Sequence, residues 1–141
     1  MFGEVGYDAA TFQEIAVRAD LTRPAVNHHF SSKRELYRQV AAQTNSMIIE
    51  AGVREAHKRR GFADQMDAFM ATVQAEGKDP AVAAFLVTSV LEAQRHPELV
   101  GNGDDVLAGT RRFVGNALRE AQLAGELRPD VDIEAVTETL L

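Results

Sequence analysis

Apolar residues recur along this chain with the period of the α-helix, and no segment shows the sustained alternation of a β-strand. The period is clearest in five segments. Their apolar positions are Leu36, Val40, Met47, Ile48 and Ala51; Phe62, Met66, Phe69, Met70 and Val73; Val82, Phe85, Leu86, Val90 and Ala93; Val106, Phe113, Val114, Ala117, Leu118 and Ala121; and Ile133, Val136 and Leu140. The pattern predicts an all-α fold.

Residues typical of helix ends divide this pattern into separate helices. Thr11 followed by Glu14 predicts a capping box, which opens a helix that runs to about Ala19. Thr22 caps the next helix, and Pro24 in its first turn lacks only an N–H that would be unpaired there in any case. Further boundaries are predicted at Gly6, Phe30, Ser31-Ser32, Gly77, Asp79-Pro80, His96-Pro97, Gly125 and Asp132, with a loop and helix cap at Gly101-Asn102-Gly103-Asp104.

The first two complete helices have the spacing of a helix-turn-helix, because a turn of three or four residues joins them. Asp20 is expected to take the left-handed backbone conformation in that turn, since Asp tolerates it better than most residues. The residues expected to form the small core between the helices are Ile15, Ala16, Ala19, Leu21 and Val26. Such a motif places the N-terminal residues of its second helix in the major groove of DNA.

The outward face of that second helix carries side chains suited to base edges. Arg23 suits guanine, Asn27 suits adenine, and the Ala25 methyl suits the thymine methyl. Pro24 and His28 share the face, while Thr11 and Lys33 lie at helix N-termini, where phosphate oxygens bind readily. The remaining basic residues nearby, Arg34 and Arg38, are as consistent with solvated charge as with phosphate contact.

The charge of the chain, −6 overall, is unevenly distributed. Residues 1–40 hold five of the 15 basic and five of the 21 acidic side chains, so the acidic excess lies in residues 41–141. Because DNA binding depends on local phosphate neutralisation, a neutral head on an acidic body permits it.

The motif strings Gly6-Tyr7-Asp8-Ala9-Ala10-Thr11, Ile15-Ala16 and Leu21-Thr22-Arg23-Pro24 through His28-His29-Phe30-Ser31-Ser32-Lys33 resemble the N-terminal domain of TetR-family transcriptional regulators. The resemblance implies base or groove contacts from Gln13, Arg23, Pro24, Ala25, Asn27 and His28. It implies phosphate contacts from Thr11, Thr22, His29 and Lys33. Asn27 departs from the aromatic residue usual there, and Asp20 from the usual glycine.

The resemblance further implies a homodimeric repressor that a small molecule releases from double-stranded, palindromic operator DNA. We therefore predict a three-helix DNA-binding domain over residues 1–40 and a helical effector-binding and dimerisation domain over residues 41–141. Candidate dimerisation segments are Val106–Ala121 and Ile133–Leu141. The chain begins and ends inside predicted helices, which suggests that the first helix and the C-terminal domain are incomplete.

Apolar side chains in the body are first of all candidates for its core, and some of them could line an effector cavity between helices. These residues are Phe62, Met66, Phe69, Met70, Phe85, Leu86 and Phe113. The alternatives are a helical small-molecule-binding protein whose head no longer recognises DNA, and an enzyme built on a helical bundle.

No catalytic pair stands out, so we expect no enzymatic activity and no cofactor. No metal site is expected, because His28 and His29 point about 100° apart on a helix and lack a third ligand nearby. The chain has no cysteine, and it contains neither a membrane-spanning apolar run nor a signal peptide. These features favour a cytoplasmic protein.

Overall fold

The computed structural model describes residues 1–101 and 106–141, and all regular structure within these ranges is helical. The helices are α1 (Phe2–Ala9), α2 (Phe12–Arg18), α3 (Arg23–His29), α4 (Lys33–Ala56), α5 (Phe62–Glu76), α6 (Pro80–Arg95), a 3-10 turn (Pro97–Leu99), α7 (Val106–Leu123) and α8 (Ile133–Leu140). The all-α prediction is confirmed. Of the predicted loop and cap after α6, Asn102, Gly103 and Asp104 lie outside the described residues.

The predicted helix starts are formed by the side chains expected to form them. The Thr11 hydroxyl accepts a hydrogen bond from the Glu14 N–H, and the Glu14 carboxylate accepts one from the Thr11 N–H, which completes the capping box of α2. Asp79 caps α6 and Asp132 caps α8, each accepting two backbone N–H groups. These hydrogen bonds satisfy donors that the first turn of a helix leaves unpaired.

Helix α1 contains a break at Gly6, where φ is 79°. Only glycine adopts that conformation readily, so the predicted stop at Gly6 is a kink after which helical structure resumes to Ala9.

The helices form two compact units, and α4 contributes to both. The first unit comprises Met1–Thr44 and the stretch that begins at Lys78. Its core contains Phe2, Ala16, Val26, Leu36, Tyr37 and Phe85, all less than a tenth exposed. At Gly3 the backbones of α1 and α6 approach so closely that a Cβ atom would lie 2.8 Å from the Phe85 nitrogen. The helix-turn-helix is thus built into the same core as α1 and α6.

The second unit comprises Asn45–Gly77 and the stretch that ends at Leu141. Its core contains Phe69, Phe113, Val114, Ala117 and Leu118. The rings of Phe69 and Phe113 stack with centroids 4.1 Å apart. Helix α7 contributes most of this core and packs on both α5 and α8.

Several apolar side chains that mark the predicted helices, Met70 and Leu21 among the expected core, are exposed. Met47, Met70 and Val90 are 60%, 43% and 62% exposed, and Leu21 is 51% exposed. Ala19 is also exposed, so only Ile15, Ala16 and Val26 of the expected residues pack in the core of the helix-turn-helix. A helical repeat marks a broad apolar face, and only the neighbouring helices decide how much of that face is covered.

The described helices include none with the length and apolar character needed to cross a membrane.

Candidate nucleic-acid interface

Helices α2 and α3 are joined by the tight turn that a helix-turn-helix requires. Asp20 has a φ of 55°, the left-handed conformation predicted for it. The Leu21 N–H donates to the Ala16 carbonyl across 2.9 Å, which ties the turn to α2. Val26, the buried residue of α3, is 3% exposed and fixes which face of α3 points away from the core.

The outward face of α3 is open to solvent. Arg23, Pro24, Asn27, His28 and His29 are exposed, and Ala25 is half-buried. Pro24 lies in the first turn, and the Thr22 hydroxyl accepts the Ala25 N–H across 3.3 Å. Five of the six residues proposed to contact base edges or the groove therefore lie on one short helix. The sixth, Gln13, is exposed on α2.

Two of the four residues expected at phosphates also hold helix ends in place. The Thr11 hydroxyl donates to the Glu14 carboxylate across 2.8 Å, and the Thr22 hydroxyl caps α3. His29 is exposed, and its ring lies against that of His28, with centroids 5.4 Å apart. Positions at helix N-termini favour anions because the unpaired N–H groups and the helix dipole act together.

Lys33, the fourth of these residues, bonds within the protein. Its ammonium donates to the carbonyls of Tyr7 and Asp8 across 2.7 and 3.2 Å, and it lies 4.4 Å from the centroid of the Tyr7 ring. An ammonium has three donors, so one is left to point elsewhere. The structure thus gives Lys33 an anchoring contact that the sequence did not predict.

Three further arginines of the first unit differ in their surroundings. Arg18 pairs with Glu4 across 2.5 Å, and that guanidinium lowers the pKa of the Glu4 carboxyl. Arg38 donates to the Glu98 carbonyl, whereas Arg34 is exposed. Arg34 is therefore better placed than Arg38 to meet a phosphate.

The candidate effector residues fall into both cores. Phe62, Met66, Phe69 and Phe113 belong to the core cluster of the second unit. Phe85 belongs to the core cluster of the first unit. Leu86 is half-buried, and Met70 is 43% exposed.

Within the described residues, the histidines and carboxylates form no group arranged to hold a metal ion. His96, at the boundary predicted after α6, places its ring between Asp8 and Glu98. Glu92, which the sequence did not single out, accepts the Tyr7 N–H across 3.0 Å. These partners lie 85 and 88 residues apart, so no local pattern could reveal them.

Comparison with known protein families covers both parts of the chain. The family described as "Bacterial regulatory proteins, tetR family" matches residues 1–40, and "Tetracyclin repressor-like, C-terminal domain" matches residues 58–141, more than half of the chain. The chain belongs to the TetR family. The helix-turn-helix is thus the DNA-binding motif of a TetR-family transcriptional regulator, and regulators of this family are not enzymes.

Individual TetR-family relatives match over different shares of their length. The transcriptional regulator UidR of Escherichia coli K12 is 25% identical over the whole chain, which spans 70% of the relative. The transcriptional repressor AcnR of Corynebacterium jeikeium is 27% identical over 99% of the chain and 69% of the relative. The transcriptional activator FasR of Mycolicibacterium smegmatis is 39% identical over 53% of the chain and 33% of the relative.

A solved structure has the same fold. The TetR-family regulator PfmR of Thermus thermophilus superposes with a TM-score of 0.65 at 22% identity, covering 99% of this chain and 75% of that one.

Proposed function

We propose that this TetR-family regulator is a repressor that binds a palindromic operator as a homodimer, is released by a small molecule, and acts in the cytoplasm. The observation that supports DNA binding is the exposed face of α3, which carries Arg23, Asn27 and His28. The Thr22 cap and the buried Val26 hold α3 in place. Two copies of α3 about 34 Å apart would enter successive major grooves.

The sign of regulation is proposed from one relative, AcnR, whose name is that of a repressor and whose match extends over nearly the whole chain. FasR, named an activator, matches a little over half of it. The broader match favours repression.

The effector is proposed to bind among the apolar side chains of the second unit. Phe62, Met66, Phe69 and Phe113 come together there, and flexible methionine with aromatic rings suits an apolar ligand. Compounds that dissociate the DNA complex would identify it. Met66→Ala should then change the response to the compound while leaving operator affinity in its absence intact.

The decisive experiment selects duplexes from a random DNA pool with the wild-type chain. An enriched palindrome bound by two chains is expected. Failure to enrich any sequence would favour a small-molecule-binding protein without DNA recognition.

Arg23→Ala should weaken binding to the enriched duplex by about 1–3 kcal/mol and relax the preference at one base pair. Fluorescence anisotropy with single-base duplex variants measures both effects. Arg60→Ala, an exposed arginine of the second unit, is the matched control and should leave the base preference unchanged. Unchanged preference in Arg23→Ala would overturn the assignment of Arg23 to a base.

A further inference from the structure

The end of α1 is held by a group of ionisable side chains around His96, which follows α6. The imidazole Nε2 lies 3.1 Å from Asp8 Oδ1, and Nδ1 lies 3.3 Å from Glu98 Oε1. Each ring nitrogen therefore faces a carboxylate on a different element. An imidazolium donates at both nitrogens, but a neutral imidazole donates at only one, so only the protonated ring can serve both carboxylates.

A third carboxylate adds to the preference for a charged ring. Glu92 is 4% exposed, and its Oε1 accepts the Tyr7 N–H. Its Oε2 lies 3.9 Å from His96 Nε2 and finds no hydrogen-bond partner within the described part of the chain. A buried carboxylate oxygen without a partner is costly, and a positive charge beside it reduces that cost.

The positive groups that face this cluster come from α4, and two of them bond to carbonyls. Lys33 donates to the Tyr7 and Asp8 carbonyls, and Arg38 donates to the Glu98 carbonyl. Arg34 acts on Tyr7, where it opposes the larger effects of burial and Glu98 that raise the pKa of the phenol. Among the described residues, the ion pairs found for Asp8 and Glu98 are those with His96.

We propose that His96 is a proton-dependent positioning residue for operator binding: its protonated ring bridges Asp8 and Glu98 and holds the end of α1 in place. His96 touches no DNA in this scheme. It acts through α1, whose Phe2 shares a core with Ala16 of α2 and Val26 of α3. Loss of the proton frees one carboxylate, loosens α1 and lowers the affinity of the DNA-binding helices. The inference rests on the proposed DNA-binding function.

The direction of the pH effect follows from the folded-state pKa. The hydrogen bond to Asp8 raises the pKa of His96 above its ordinary value of 6.5, against the opposing effect of burial. The contribution to stability is therefore complete below about pH 6.5 and is lost as the pH rises through the raised value. Operator affinity should fall over the same range.

The first test observes the imidazoles directly by NMR titration of the full chain. His96 should titrate above the ordinary histidine value of about 6.5, and Asp8→Asn should lower the pH at which it titrates. EDTA in every buffer keeps divalent ions away from the carboxylates. Titration of His96 at or below about pH 6.5 would overturn the proposal.

The second test measures affinity for the duplex enriched by the wild-type chain, from about pH 5.5 to about pH 8.5. Over this pH range the wild type should lose severalfold more affinity than His96→Gln, because the two proteins share every ionisable group except His96. His57→Gln is the matched control and should follow wild type.

The two tests separate this inference from the proposed function. If the chain enriches DNA but His96→Gln retains the full wild-type pH profile, only the positioning role is overturned. If no duplex is enriched at any pH, the proposed function fails and the operator effect fails with it. A raised titration of His96 together with a flatter profile in His96→Gln would support the proposal.

Discussion

Lys33 connects the start of α4 to the end of α1 through two hydrogen bonds and a contact with the Tyr7 ring. An ammonium within about 6 Å of an aromatic centroid is attracted to the ring, and hydrogen bonds from a charged group are stronger than neutral ones. The residue proposed to meet a phosphate therefore also stabilises the unit that carries the DNA-binding helices.

Lys33→Met should lower the free energy of unfolding by about 1–3 kcal/mol, because the Tyr7 and Asp8 carbonyls lose their donor while the aliphatic stem is kept. Denaturant unfolding measures this change. Lys78→Met, at an exposed turn position, should stay within about 0.5 kcal/mol of wild type.

The same Lys33→Met variant tests the proposed phosphate contact. If Lys33 meets a phosphate, the slope of log binding constant against log salt concentration should decrease in magnitude by about one. An unchanged slope would leave only the anchoring role.

Asp20 occupies a backbone conformation that costs most side chains about 1–2 kcal/mol, and Asp somewhat less. We expect Asp20→Gly to leave the free energy of unfolding unchanged or to raise it by up to about 1 kcal/mol. Glycine relieves the backbone strain in the folded state, but it also gives the unfolded chain more conformational freedom, which offsets part of that gain. Asp67→Gly, exposed in α5, should lower it by about 0.3 kcal/mol. Equal losses at both positions would contradict the strain at Asp20.

At the scale of the helices, Gly52 of α4 lies close to a side chain of α5 in the second unit. A Cβ atom on Gly52 would lie 2.7 and 2.9 Å from two ring carbons of Phe69, which is fully buried and stacked on Phe113. A glycine inside a helix ordinarily only weakens that helix, by about 1 kcal/mol relative to alanine. The structure shows instead that the absence of a side chain lets Phe69 fill the core.

Gly52→Ala should therefore destabilise the protein by about 1–3 kcal/mol from overpacking, although alanine favours helices by about 1 kcal/mol. Gly77→Ala is the matched comparison, since its φ is −69° and its new methyl would make only ordinary contacts. It should be neutral or stabilise by up to about 1 kcal/mol. Thermal unfolding of both variants decides the point, and a stabilised Gly52→Ala would show that Phe69 can move aside.

Across the whole molecule, ionisable groups make the stability of the fold depend on pH. Pairing with Arg18 lowers the pKa of Glu4, and pairing with Lys58 lowers that of Glu55. Both contributions are present above about pH 4.5 and are lost as the pH falls through the lowered values. Both carboxylates are exposed, so these contributions are screened and small.

On the alkaline side, burial and then Glu92 raise the pKa of Tyr37 above its usual value of 10. Stability should decline as the pH rises from about 10 through that raised value, because the unfolded phenol loses its proton first. Tyr37→Phe should flatten this decline. It should cost little near pH 7, because the buried Tyr37 hydroxyl has no partner within the described residues. Unfolding followed by circular dichroism against pH is the measurement, and an unchanged alkaline decline in Tyr37→Phe would assign it to other groups.

The features that could be predicted from the amino-acid sequence are local: the helices, their caps and the exposed face of α3. Thr11, Thr22, Asp20 and Asp132 could be read correctly because a cap or turn depends on residues within about four positions along the chain. The family motif added the DNA-binding role for the same reason, since its elements lie within one contiguous segment.

Which apolar faces are covered, and which distant charges meet, depends on how the helices pack in three dimensions. Met47 and Leu21 carry the apolar signal of core residues yet remain exposed, because burial depends on helices elsewhere in the chain. Glu92 and His96 reach the end of α1 from 85 and 88 residues away. Such contacts depend on how α1 packs against α6, and no periodicity or spacing in the sequence encodes that geometry.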